Sequence, residues 1–493
     1  MKKILIANRG EIAVRIMKTC REMGIGTVAV ASEVDMAAKH ARMADEVVCI
    51  GPAPAIESYL RAEAIIEAAK STGADGIHPG FGFLSENAEF AKAVRAAGLV
   101  FIGPQAEVIE LMGSKQASKR EMIRAGVPVV PGYNGDKQDP EHLSEQAESI
   151  GFPLLIKASA GGGGKGMRIV HAADRFLEEL EAAKREATAA FGDDTVLLEK
   201  YLTRPRHIEF QVFGDEHGNL VHLFERECSI QRRHQKILEE TPSTAMTPEL
   251  RGRMAEAAVA AAGCVSYTNA GTVEFMLDED GSFYFLEMNT RLQVEHPITE
   301  MLTGQDLVRW QIEVARGNPL PLRQEEISGR GHSMEVRIYA EDPANGFLPQ
   351  TGTIVGYHEP QGLDVRVDSG VAQGDEISIY YDPMIAKLVV RGADRRTVCE
   401  KLRNALAEYG IHGVRTNIAF LLAILEEPHF LKGETRTDYL AEHFADYRAD
   451  DGLIDQALAL TALGASGRKA NSREGGVAFN DPWSSLPAWR GTK

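Results

Sequence analysis

The stretch GTVEFMLDEDGSFYFLEMNTR (residues 271–291) restricts the fold more than any other. Two apolar, β-branched and aromatic runs flank Asp280-Gly281, a residue pair that two-residue hairpin turns favour because their central positions need positive φ. With that pair at the turn, Glu279 faces Ser282, and Glu274 and Glu287 fall directly opposite each other on one face. Side chains opposed in this way stand roughly 5 Å apart. Two carboxylates so placed destabilise a sheet unless a cation lies between them. Their strand neighbours Val273, Phe275, Leu286 and Met288 are those of a buried sheet. The pattern predicts a divalent metal, magnesium by oxygen-ligand preference, with phosphate oxygens completing its shell. Asn289 falls on the same face as a third candidate ligand. A different turn register, or a solvated edge hairpin, is the alternative this pattern leaves open.

The N-terminal part alternates short strands with helical patterns. KILIA (3–7) and TVAVA (27–31) bracket a helical run, Ile12, Ile16, Cys20 and Met23, that stops at Gly24. A helical stretch at 58–70, GIH at 76–78, a helix near 85–97 and LVFIG at 99–103 continue the order. Such βαβ order predicts a Rossmann-like parallel sheet over residues 1–112. Its first strand–helix turn, Ala7-Asn8-Arg9-Gly10, holds a single glycine where a dinucleotide fold needs several.

A glycine cluster does occur later, in KASAGGGGKGMRIV (157–170). Gly161 to Gly166 fits G-x-G-x-x-G and nearly fits the phosphate loop of nucleoside triphosphatases. Both of those loops run from a strand into a helix. Here a β-type run, Met167 to Val170, follows, and Gly166 stands after Lys165 where Ser or Thr must reach magnesium. The loop is therefore expected to be the tip of a hairpin. Its glycines leave the backbone free to turn N–H groups toward anionic oxygens and to close as a lid. Lys157, on the incoming strand, reaches toward the same phosphates. A surface turn without a ligand is the bland alternative.

The chain then divides into a helix at 115–124, a Pro/Gly-rich connector at 127–136, and a small unit of strand, glycine loop, strand, helix 174–191 and strand between 150 and 200. Strands and helices alternate through 205–315, and a third region, 332–445, opens on strands and closes on helices. GASGRKANSREGG (464–476) has linker composition, and Trp483 and Trp489 beyond it suggest a docking segment.

Three further stretches alternate. In RHIEFQV (206–212), His207, Glu209 and Gln211 share one face; in SMEVRIYAE (333–341), Glu335, Arg337 and Tyr339 do. In RLQVEHP (291–297), Arg291, Gln293 and Glu295 line one side if the segment is extended. IQRRHQKI (230–237) supplies Gln231, His234 and Lys236. An Arg–Glu pair near a metal can bind and deprotonate a small oxyacid, though such pairs are more often structural. Cys228 near His234 reads as a quiet thiol, since nothing orients the histidine.

With 44% apolar and 25% charged residues the chain is an ordinary globular one, and its net charge of −17 argues against nucleic acid or an anionic membrane as partner. Five separated cysteines without C-x-x-C point to a reduced compartment without structural zinc. The opening MKKILIANRGEIAVRI is too short in apolar run for a signal peptide, and no run approaches the ~20 residues that span a bilayer. The expected location is cytoplasmic.

Taken together, KILIANRGEIAVRI, HPGFGFLSEN, KASAGGGGKGM, EKYL, PRHIEFQV, ERECSIQRRHQK, FLEMNTRLQVEHPITE, RIYAEDP and YYDPMIAK resemble the ATP-grasp ligases, and among them biotin carboxylase, over residues 1–445. The resemblance implies an α/β (overall α+β) chain. Its parts would be an N-terminal domain (1–112), an ATP-grasp domain (113–320) with a lid at about 130–203, a C-terminal domain (332–445) and a tail (446–493). It implies that ATP phosphorylates bicarbonate to carboxyphosphate and that the carboxyl group passes to biotin on a carrier. By motif, Lys115, Lys157, His207, Gln231 and His234 would hold the nucleotide. Gly162, Gly163, Gly164, Gly166 and Met167 would close over its phosphates, while Glu199, Lys200 and Leu202 meet the adenine. Glu274, Glu287 and Asn289 would hold magnesium or manganese. Lys236, Arg291, Gln293 and the Val294 backbone would bind bicarbonate, with Glu295 as general base and Arg337 stabilising the biotin enolate. Phe81 stands near the expected biotin site where the family usually has Tyr. No A-M-K-M attachment sequence occurs, so a biotin carboxyl carrier and a carboxyltransferase are expected as partners, with a homodimer of this chain. The final acceptor is expected to be acetyl-CoA or another acyl-CoA; pyruvate, or an ATP-grasp ligase acting on an amine, is the alternative.

Overall fold

The computed structural model describes residues 1–159, 167–232 and 235–448. Gly162, Gly163, Gly164, Gly166, His234, Trp483 and Trp489 lie outside the described residues.

The first sheet is parallel throughout, in the order Glu46–Cys49, Gly26–Ala31, Lys3–Ile6, Gly76–His78, Val100–Phe101. The period-two alternation of a strand divides its side chains between two cores. Leu5, Val28, Val30 and Ile77 pack with Tyr59, Ile65 and Phe90 on one face. Ile4, Ile6 and Ala29 pack with Ile12 and Ile16 on the other. Both faces are apolar and covered, as parallel sheets require. The edge strand Glu46–Cys49 is mostly exposed, and so carries no burial pattern by which the sequence could reveal it. The helix expected from 58 begins only at Ala62, after a short 3₁₀ turn at Ala55–Glu57.

A second sheet has eight strands, ordered Phe283–Asn289, Asn269–Leu277, Arg206–Gly214, Leu220–Arg232, Gln235–Thr241, His332–Tyr339, Met384–Gly392, Val365–Ser369. Every pairing in it is antiparallel. The strands that follow residue 332, expected to open a third region, also continue this sheet, with Leu238 paired to Val336. One face is apolar: Ile208, Phe210, Val212, Val273 and Phe275 pack with Met254 and Ala258 of the helix Pro248–Gly263. The opposite face carries His207, Glu209, Glu274, Arg226, Glu239 and Arg337, all buried. The helix His296–Thr303 packs against that sheet.

A third, four-stranded sheet runs Gly132–Tyr133, Val196–Lys200, Leu154–Ala158, Arg168–Val170, and Leu154, Ile156, Val196 and Leu198 pack on Leu180 and Ala183 of the helix Phe176–Phe191. Leu154 pairs with Val170 and Ile156 with Arg168, antiparallel. The glycine segment therefore joins two strands, as expected, and the dinucleotide and triphosphatase readings of it fall away.

Two local expectations are corrected. At the 278–282 hairpin tip the Asp278 N–H donates to the Ser282 carbonyl at 2.8 Å and Gly281, at φ +80°, closes a three-residue loop. The turn is one residue longer than the Asp280-Gly281 pair suggests, a type I turn with a left-handed glycine. Phe275 accordingly pairs with Phe285, whereas Glu274 still pairs with Glu287, because a β-bulge at Leu286 adds one residue to the returning strand. Second, residues 291–297 are not extended. They form a loop that turns into the helix His296–Thr303, with Pro297 in its first turn, where a missing N–H leaves no helical bond unmade.

Among the described residues, no helix is long and apolar enough to cross a membrane.

Candidate active site

The charged face of the long sheet gathers most of the expected residues around one ammonium group. Lys236 Nζ donates to Glu209 Oε2 at 2.5 Å, to Glu274 Oε1 at 3.0 Å and to Glu295 Oε1 at 2.6 Å. Alternation on adjacent antiparallel strands brings these groups together: Glu209 lies across from both Glu274 and Arg226. Arg226, fully buried, donates to Glu209 at 2.6 Å, Gln211 at 2.8 Å and Thr299 at 3.0 Å. Burial of so many charges is tolerated only because each is paired and hydrogen-bonded.

Glu295 precedes the first turn of the helix His296–Thr303 without capping it. Its carboxylate lies between Lys236 and Arg337, whose Nη2 donates to Glu295 Oε2 at 3.1 Å while Nε donates to Glu239 at 2.7 Å. Burial would raise the Glu295 pKa, but Lys236, Arg337 and Arg226 outweigh it and hold the carboxyl well below its usual range. Glu295 is thus ionised.

The two opposed carboxylates differ. Glu274 accepts from Lys236 at 3.0 Å, Asn289 at 2.9 Å and Gln293 at 3.2 Å, and its other oxygen lies 2.9 Å from His207 Nε2. Against its burial, Lys236 and His207 keep its pKa low. Glu287 accepts no hydrogen bond from any described residue; burial and the charge of Glu274 raise its pKa. A half-buried carboxylate without a donor, beside a second carboxylate and an amide oxygen, fits a divalent cation. Lys115 faces it from the helix Lys115–Arg124.

Arg291 donates to Asn289 Oδ1 at 3.0 Å, to Gln293 Oε1 at 2.8 Å and to Glu86 at 2.8 Å. It therefore joins the face that carries Glu274 and Asn289 to the loop ahead of Glu295, and does so from a loop rather than by strand alternation. A second charge cluster sits on the small sheet. There Glu199 lies 2.5 Å from Lys157 and 2.6 Å from Lys119. Those two lysines overcome the effect of burial and bring the Glu199 pKa down to about 2. Glu199 was expected to meet a ligand; its carboxylate here is engaged by the two lysines. Of its neighbours, Lys200 is exposed and Leu202 half-buried. Gln231, paired across from Lys236, is half-buried, as is Met167.

Lys119, Arg226, Glu239 and Lys387 escaped the sequence reading. Each lies on a helix or strand close to an assigned residue, and the alternation placing Arg226 opposite Glu209 was the available signal. Phe81 is half-buried, its ring centroid 6.0 Å from Lys387 Nζ. Burial pushes the Cys228 thiol well up, and Sγ lies 3.9 Å from Glu295 Oε1, so it is the quiet thiol expected.

Three family models match successive parts of the chain. The biotin carboxylase N-terminal domain matches residues 1–109, the ATP-binding domain of the carbamoyl-phosphate synthase L chain matches 114–323, and the biotin carboxylase C-terminal domain matches 335–442. The chain is 54% identical to the mitochondrial alpha subunit of methylcrotonoyl-CoA carboxylase from Dictyostelium discoideum over 490 residues, 99% of this chain and 70% of that one. It is 54% identical to a pyruvate carboxylase subunit of Methanothermobacter thermautotrophicus over 442 residues, 90% of each chain. A crystal structure of the Hydrogenobacter thermophilus 2-oxoglutarate carboxylase biotin carboxylase domain dimer, with MgADP, ADP and bicarbonate, superposes with a TM-score of 0.87 at 49% identity, covering 91% of this chain and 99% of that one. The chain belongs to the biotin carboxylase family of ATP-grasp ligases. It spans 65% of the corresponding rat methylcrotonoyl-CoA carboxylase polypeptide.

Proposed function

We propose that the chain carboxylates biotin on a carrier protein, consuming ATP and bicarbonate and releasing ADP and phosphate. The observation that carries this reading is the Glu295 carboxylate held between Lys236 and Arg337, beside the opposed Glu274 and Glu287.

Lys115, Lys157, His207, Gln231 and His234 hold the nucleotide in this reading, and the glycine segment closes over its phosphates. Glu274, Glu287 and Asn289 would hold magnesium or manganese. A divalent ion there would offset charge on phosphate oxygens. Bicarbonate enters beside Arg291, Gln293 and the Val294 N–H, and competes for Lys236. As Lys236 turns to the substrate, Glu295 loses a charged partner and its proton affinity rises, so the base gains strength where bicarbonate binds. Glu295 takes the bicarbonate proton while the bicarbonate oxygen attacks the γ-phosphorus and ADP leaves. Carboxyphosphate then breaks into carbon dioxide and phosphate. Phosphate takes the ureido N–H proton of biotin, the nitrogen bonds to carbon dioxide, and Arg337 faces the enolate oxygen as charge develops there.

The carboxyl group is destined, in this reading, for an acyl-CoA. The match to the methylcrotonoyl-CoA carboxylase chain covers 490 residues, tail included, while that to the pyruvate carboxylase chain covers 442. This favours the acyl-CoA class over pyruvate, and a branched acyl group such as methylcrotonoyl over acetyl. The carrier and carboxyltransferase lie on residues beyond this chain or on partner chains, and two copies of the chain pair as a dimer. The separated cysteines fit a reduced compartment, cytoplasmic in this reading.

Bicarbonate-dependent ATP hydrolysis, measured with and without free biotin for wild type and Glu295→Gln, tests the assignment. Stimulation by biotin, lost in the variant, is expected. No biotin effect together with a fully active Glu295→Gln overturns it.

A further inference from the structure

Lys387 lies in the long sheet, fully buried on the strand Met384–Gly392, and no step above uses it. Its ammonium donates to the Val294 carbonyl at 2.7 Å and stands 3.1 Å from Glu11 Oε2 on the first helix. Its cross-strand partners are Arg337 and Asp368. A buried lysine is costly unless its charge is matched, and Glu11 and Asp368 supply that match. What it holds is more telling than what holds it. The Val294 carbonyl and the Glu295 N–H belong to one planar peptide unit. Fixing that carbonyl fixes the plane from which the Glu295 Cα departs, one residue before the helix His296–Thr303.

We propose that Lys387 is a positioning residue for Glu295. Lys236 and Arg337 fix the carboxylate end of that side chain, and Lys387 fixes its backbone end. Glu11 ion-pairs with the same ammonium, so the first helix, the strand Met384–Gly392 and the base-bearing loop meet at a single nitrogen. The role rests on the reading of Glu295 as the base that deprotonates bicarbonate.

A double-mutant cycle on bicarbonate-dependent, biotin-stimulated ATP hydrolysis tests it, using Lys387→Met, Glu295→Gln and the pair. Lys387→Met is expected to lower kcat at least ~10-fold with KM for ATP within about two-fold, as loss of a positioned base predicts. In the Glu295→Gln background the same change is expected to cause no further loss. Additive losses, or a folded Lys387→Met with wild-type kcat, overturn the proposal. If Lys387→Met does not fold, Glu11→Gln, which keeps shape and removes the counter-charge, enters the same cycle under the same criteria. A Glu295→Gln enzyme that is itself fully active refutes the reaction assignment instead. A merely structural Lys387 would shift the unfolding midpoint and leave the two losses additive.

Discussion

The five-stranded parallel sheet and the eight-stranded antiparallel sheet bury their residues in opposite ways. In the first, both faces are aliphatic and aromatic, with Ile4 and Ile6 on one side and Leu5 and Ile77 on the other. In the second, Ile208 and Phe275 fill one face while Glu209, Glu274, Arg226 and Arg337 crowd the other. A sheet with two greasy faces can offer chemistry only at the ends of its strands. A sheet with one greasy face can keep its charges out of bulk water on the other, where they act strongly on one another and on anything that enters. The reactive groups of this protein sit on that second kind of surface.

Replacements in the two sheets should therefore fail differently. The largest expected effect is Glu295→Gln, which should cut biotin-stimulated turnover by at least ~10²-fold while circular dichroism and the unfolding midpoint stay near wild type. Wild-type turnover in that variant would reduce the charged face to scaffolding. Arg226→Met leaves Glu209 with Lys236 as its remaining charged partner and takes the donor from Gln211 and Thr299, and should destabilise by roughly 3 kcal/mol in urea unfolding; a neutral outcome would show that the face tolerates a broken network. Leu5→Ala, in the parallel sheet, should lose about 2–5 kcal/mol yet keep turnover per folded molecule, which separates stability from chemistry. Glu199 tests the small sheet. Its carboxyl is depressed from 4.5 to about 2, so its contribution is complete above pH 4.5 and disappears as pH falls through 2. Acid titrations of stability should show wild type losing up to ~3 kcal/mol over that window relative to Glu199→Gln. Phe81→Tyr should matter least, altering KM for biotin by no more than ~10-fold, the range of one hydrogen bond, with KM for ATP unchanged.

Much of this was legible in the chain because strand alternation is local. His207 and Glu209, or Glu335 and Arg337, share a face whatever their neighbours are, and MRIV after the glycines could only be a strand. Partners across the sheet were less visible. Nothing near Lys119 announces Glu199, 80 residues on, and nothing near Glu11 announces Lys387. Such pairs depend on how distant strands order themselves. The conformation of 291–295 stayed open for a related reason: Arg291, Gln293 and Glu295 alternate as a strand would, but Pro297 starts a helix that no alternation reveals. The continuation of the long sheet past residue 332 was hidden likewise, since an antiparallel neighbour can come from any part of the chain.

The extra residue at Leu286 sets a constraint on anyone redesigning the hairpin that bears Glu274 and Glu287. Tip and bulge each shift the pairing by one residue, in opposite senses, and their sum leaves the two carboxylates opposed. At constant chain length, forcing residues 280 and 281 into a two-residue Asn-Gly turn (Asp280→Asn) while Leu286 stays bulged would set Met288 opposite Glu274, and flattening the bulge while the three-residue tip stays would set Leu286 there. Either edit alone rotates a carboxylate out of alignment; made together, they restore it. The hairpin is a two-part combination lock, and its parts can be changed only as a pair.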